Sequence, residues 1–155
     1  MESELDKTKI DPVEEVKELR ALCEKYKLEH RDILDKYSDE ELAEIYNGIG
    51  PSTFPEWMRE SLDSLHPSLK PVAFIHDVEW QESDGTEESF TESNDRFRRN
   101  GVSVSSQAFS WYHPRRYLVM LEAVEFAYLC QWFGWSVWKN SNTKFAKSEK
   151  LVAPH

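Results

Sequence analysis

The sequence predicts an all-α protein of five to six helices around a central antiparallel helical hairpin, at about residues 71–82 and 87–100. Three observations predict it. Apolar residues recur at three- and four-residue spacing along most of the chain. Helix-start signals stand ahead of these runs: Asp11-Pro12, Ser38 with Glu41, Pro55, Pro71, Thr86 and Pro114. Turn residues collect between them, at Asn47–Pro51, Ser83–Thr86 and Asn100-Gly101. At 155 residues and 39% hydrophobic content, the chain suits a single domain over residues 1–155 with a sizeable core. The first ten residues are expected to fray.

Each element follows from local chemistry. Asp11 is an N-cap, Pro12 takes the first helical position, and Glu14 stands in the first turn. Val16, Leu19, Cys23 and Tyr26 then mark an amphipathic helix over 12–28. Ser38 and Glu41 form a capping box for a helix with Leu42, Ile45 and Tyr46 on its apolar face. Asn47-Gly48 stops it, because both residues tolerate positive φ. Pro55 opens a third helix with Trp57, Met58, Leu62 and Leu65 on its buried side. Pro71 opens a fourth, and Thr86 caps a fifth that ends near Asn100-Gly101. Val102 to Phe109 alternates weakly and is expected to be extended, allowing one short hairpin. Pro114 opens the last long helix, whose Trp132–Trp138 cluster is read as a buried aromatic face, with lipid contact as the alternative. His66 and His113 each precede a proline and are read as helix-start residues.

Composition excludes several classes. The formal charge is −10, and residues 1–60 carry 9 basic and 17 acidic groups, whereas residues 111–155 carry 6 and 3. So acidic a chain is not expected to bind nucleic acid. The basic end is read as solvated charge. Two cysteines, Cys23 and Cys130, are too few and too far apart for a disulfide scaffold and are read as free thiols. The charged N-terminus lacks the apolar run of a signal peptide, and Glu122 and Glu125 interrupt the longest apolar stretch, so no transmembrane segment is expected. A cytoplasmic or virion-associated location follows from these readings.

Three features in order carry the chemistry: Tyr46-Asn47-Gly48-Ile49-Gly50, then His76-Asp77, then Asn94-Asp95-Arg96-Phe97. A loop with two glycines curls and exposes carbonyl oxygens. Carbonyls plus a carboxylate make a calcium site, since calcium takes six to eight oxygens. Asp77 is the candidate carboxylate and His76 a candidate general base. His76 lies nine residues before Gly85 and Asn94 nine after it. Both arms of a helical hairpin rise about 1.5 Å per residue, so position 94 or 95 stands level with His76.

The order Y-x-G-x-G, H-D on a helix and a polar residue on the next helix resembles the phospholipase A2 superfamily, in its disulfide-free viral and bacterial branch. The resemblance covers residues 46–97. It implies a phospholipase A2-like core, calcium held by the carbonyls of Tyr46, Gly48 and Gly50 with the Asp77 carboxylate, and His76 as base for ester hydrolysis at a phospholipid or membrane surface. Two positions depart from the family pattern. Phe97 follows Asn94 by three residues, where the family has A-D-x-x-F, so Asn94 takes the place of the histidine's partner. Trp80 stands where the family has a Tyr that hydrogen-bonds the same Asp. The helical wheel agrees on the first point, grouping Phe90, Asn94 and Phe97 on one face and Asp95 on the other. Two alternatives stand beside a hydrolase: a non-catalytic protein of the same fold, of prophage type, and an unrelated helical interaction domain. The oligomeric state is left open.

Overall fold

The computed structural model describes residues 11–46 and 54–139. Six α-helices and two short 3-10 helices account for most of them, and no strand occurs among the described residues. The helices are α1 (Pro12–Lys25), α2 (Asp39–Tyr46), α3 (Glu56–Asp63), α4 (Lys70–Gln81), α5 (Glu87–Ala108) and α6 (Pro114–Phe133). The 3-10 turns span Arg31–Lys36 and Pro67–Leu69.

The helix starts obey the capping chemistry. Asp11 Oδ1 accepts from the Val13 N–H. Ser38 and Glu41 cap one another reciprocally, at 3.1 Å in both directions. Thr86 Oγ1 accepts from the Ser89 N–H. The two pre-proline histidines act as N-caps: Nδ1 of His66 accepts from the Ser68 N–H, and Nδ1 of His113 from the Arg115 N–H.

Two expected boundaries shift, and one expected buried face is divided. The first helix ends at Lys25 rather than 28, because Lys27 turns left-handed at φ 51 and the Leu28 N–H bonds back to the Cys23 carbonyl. The turn drives Leu28 into the core. The expected extended segment after residue 101 is helical, and α5 runs through Asn100-Gly101 to Ala108. Asn100 does not stop the helix, since its side chain is occupied elsewhere. It accepts from the Glu29 N–H at 2.8 Å and donates to the Glu29 carbonyl at 3.2 Å. Gly101 serves close packing instead of termination: a Cβ there would stand 2.3 Å from the Ala123 Cβ of α6. The aromatic cluster near the C-terminal end of α6 is divided, with Trp138 buried and Trp132 and Phe133 exposed. The expectations for residues 1–10 and for the Asn47–Pro51 loop lie outside the described residues.

Helix α4 is central. It touches α1, α2, α5 and both 3-10 turns, and every residue from Pro71 to Trp80 is buried. Helices α5 and α6 form the most extensive helix pair. Cys23 and Cys130 are free, buried thiols. No described helix is long and apolar enough to cross a membrane.

The Gly101–Ala123 approach yields a direct check. Gly101→Ala should destabilise the protein by about 1–3 kcal/mol, an overpacking cost that outweighs the helix-propensity gain of alanine. Urea unfolding of the two proteins measures it.

Candidate functional site

A helix buried on all sides reads as a run of apolar residues, and α4 mostly does: Val72, Ala73, Phe74, Ile75, Val78 and Trp80. Three ionisable side chains interrupt it, His76, Asp77 and Glu79. Burial of such groups is costly unless they are hydrogen-bonded, paired or neutral. The three meet that requirement differently.

His76 is 1% exposed. Its Nε2 stands 3.1 Å from Asn94 Oδ1 on α5. Asn94 Nδ2 donates to Gln131 Oε1 of α6 at 3.0 Å, and Gln131 Nε2 donates to Thr91 Oγ1 at 3.1 Å. In this relay the Asn94 amide oxygen faces the imidazole. An oxygen at Nε2 requires the imidazole proton there, which leaves the lone pair on Nδ1. Nδ1 is buried and has no hydrogen-bond partner. The rings of Trp80, Phe97 and Phe126 pack around the imidazole, with centroids at 5.1, 5.1 and 5.7 Å. Burial lowers the His76 pKa from 6.5 to about 4, against the raising effect of the Asn94 bond and with the lowering effect of Arg96. The folded state therefore binds fewer protons here than the unfolded chain. The neutral imidazole contributes stability above pH 6.5 that is lost as the pH falls toward 4.

Asp77, the next residue, is 2% exposed, and its Oδ1 has no partner. Burial alone pushes its pKa well above the ordinary 3.8. It lines a cavity of about 120 Å³ together with Tyr46, Glu15, Asp63, Arg59 and Lys70. Tyr46 is the last residue of α2, and its ring meets Phe74 edge-on at 5.3 Å. Burial, with the nearby Glu15, Asp77 and Asp63 carboxyls, raises the pKa of its phenol. Two expected calcium ligands, Gly48 and Gly50, lie outside the described residues. Among the described residues no three His, Cys, Asp or Glu side chains are grouped to hold a metal ion. A cation at Asp77 therefore needs oxygens of another kind, such as backbone carbonyls, and the orphaned Asp77 Oδ1 fits such a ligand.

Of the sequence-derived candidates, the fold thus brings His76 to Asn94, and Asp77 to Tyr46. Asn94, not Asp95, meets the imidazole. Trp80 makes no hydrogen bond to Asn94. Its Nε1 is buried with no partner, and the indole packs on His76 rather than bonding Asn94.

Sequence reasoning missed the third polar group. Glu79 is buried, and its two oxygens are divided among three side chains. Ser93 Oγ donates to Oε1 at 3.0 Å, while His30 Nδ1 and Arg96 Nη1 both reach Oε2. His30 has a pKa lowered by burial and by Arg96, and its Nδ1 lies against both Glu79 Oε2 and Arg96 Nη1. This network forms one wall of a cleft of about 330 Å³ whose rim carries Glu82, Asp84, Glu88 and Glu92. A glutamate inside the apolar run of α4 was the available signal.

Removing Arg96 strands a buried carboxylate. Arg96→Leu should cost about 3–5 kcal/mol in urea unfolding, and the double variant with Glu79→Leu should recover most of it. Equal destabilisation of the single and double variants would contradict the pairing.

The chain matches no family model, no curated protein and no solved structure.

Proposed function

We propose that this chain is a calcium-dependent, phospholipase A2-like hydrolase of phospholipid acyl esters. Its catalytic pair is His76 and Asn94, and its calcium ligands are Asp77 with the carbonyls of Tyr46, Gly48 and Gly50. On this reading the paired positions on α4 and α5 are the central helical hairpin of a phospholipase A2-like core. One observation carries the proposal: Asn94 occupies Nε2 of His76, while Nδ1 of His76 and Oδ1 of Asp77 are buried and unpaired. Buried polar atoms without partners call for an explanation, and a catalytic role or an absent ion is among the few available. These two atoms are the ones a general base and a metal ligand would use.

The chemistry of the chain's own residues follows. Nδ1 of His76 accepts a proton from water as the water oxygen attacks the acyl carbonyl carbon. The resulting imidazolium returns that proton to the departing alcohol oxygen as the ester C–O bond breaks. Asn94 holds the ring in the Nε2–H tautomer, and Gln131 holds Asn94. When bound, calcium supplies positive charge beside the developing oxyanion. Asn94 is uncharged, so it orients the imidazolium without neutralising it. Substrate reaches Nδ1 only when the aromatic shell opens, and hydration on opening returns the His76 pKa toward its ordinary value.

A second reading keeps the site and drops the chemistry. The enclosure of His76 by Trp80, Phe97 and Phe126 favours a non-catalytic protein of the same type, in which the imidazole is a core group.

Calcium titration by calorimetry, with fatty-acid release from micellar phosphatidylcholine, separates the readings. The hydrolase proposal expects calcium binding that Asp77→Ala abolishes, and release that His76→Gln lowers by about 10²–10⁴-fold. Binding without release selects the non-catalytic reading. No binding up to several millimolar overturns both and leaves a helical interaction domain.

A further inference from the structure

The bond between His76 and Asn94 continues outward through two more side chains. Asn94 Nδ2 donates to Gln131 Oε1 at 3.0 Å, and Gln131 Nε2 donates to Thr91 Oγ1 at 3.1 Å. His76 and Asn94 are buried, whereas Gln131 and Thr91 are half-buried. A threonine hydroxyl both donates and accepts, so the outer end of this chain of bonds accommodates either direction. With the amide oxygens pointing inward, Nε2 of His76 carries the imidazole proton and Nδ1 keeps its lone pair. With both amides turned over, Asn94 Nδ2 would donate to Nε2, and the proton would sit on Nδ1. The observed direction is the first.

We propose that Gln131 is a positioning residue, whose acceptor oxygen toward Asn94 selects the His76 tautomer that leaves Nδ1 free as a base. This role rests on the hydrolase reading, in which Nδ1 of His76 is the base. Placement supports it. Thr91 and Asn94 lie three residues apart on α5, on neighbouring turns of one face. Gln131 of α6 bridges them, so its amide is engaged at both oxygen and nitrogen. The threonine leaves the direction open, and position 131 is where the chemistry of a side chain can dictate it. A small pocket beside the amide, of about 60 Å³, is lined by Asn94, Asp95, Arg98, Tyr128 and Gln131. Arg98 and Asp95 there offer a counter-charge of either sign to an ionised side chain at position 131.

Nitrogen-15 spectra of the His76 imidazole at pH 7, in full-length protein with substitutions at position 131, test the proposal. Glutamate offers only acceptors and lysine only donors. Gln131→Glu is expected to retain the proton on Nε2. Gln131→Lys is expected to reverse the Asn94 amide, move the proton to Nδ1 and lower fatty-acid release by about 10²-fold. Gln131→Leu supplies neither group and should give a mixture of the two tautomers. A proton that stays on Nε2 in the lysine variant overturns the proposal, as does a proton on Nδ1 in the glutamate variant. Should lysine prevent folding, the leucine variant decides, and nitrogen shifts unchanged from the wild type overturn the proposal. A proton that moves to Nδ1 in the lysine variant upholds it even where the wild type releases no fatty acid, a result that sinks the hydrolase reading alone.

Discussion

Helix α4 is buried along ten consecutive residues, and three of them carry ionisable side chains. Much of the fold can be read as the set of contacts that makes this tolerable. Glu79 is satisfied by partners, because Arg96, Ser93 and His30 converge on it. His76 is held neutral, and one of its nitrogens is occupied by Asn94. Asp77 has neither device among the described residues, and its carboxyl is pushed toward the protonated form. Ser93, Asn94 and Arg96 all come from one turn of α5, so the register of α5 against α4 is fixed by polar chemistry as much as by packing. That register depends in turn on α6, which meets α5 at Gly101 and Ala123 and reaches Asn94 through Gln131.

The same constraint links structure to the proposed activity. An imidazole buried among three rings is a weak base, and that weakness is set first by desolvation, with a smaller contribution from the Arg96 charge. Desolvation is reversible by motion, whereas a fixed cation beside the ring would not be. Movement of Trp80 or Phe126 would restore basicity and access together. The histidine's orientation needs no such movement, because the Asn94–Gln131–Thr91 relay lies on α5 and α6.

Local chemistry was legible in the sequence. The caps at Asp11, Ser38 and Thr86 form as their residue types predict, and His66 and His113 stand at helix starts as their places before proline predict. Asn94 could be chosen over Asp95 because Phe97 fixes which face of α5 is apolar. The misplaced elements share a cause. Asn100-Gly101 reads as a helix stop, yet both residues answer to partners distant in sequence, Glu29 and Ala123, and propensity yields to packing. Glu79 escaped notice because its partners lie 14, 17 and 49 residues away. The exposed face of α6 escaped for a different reason. Its stripe is as apolar as a core face, and apolarity alone does not say which side of a helix meets the core.

His76 is a neutral, desolvated imidazole protonated on Nε2, where it meets Asn94, with a bare lone pair on Nδ1. Nitrogen-15 NMR of the imidazole through a pH titration reports the tautomer and the pKa together. The Nε2–H tautomer, a pKa of about 4, and a change of nitrogen shifts in Asn94→Leu are expected. A proton on Nδ1, or titration near the ordinary 6.5, would contradict it.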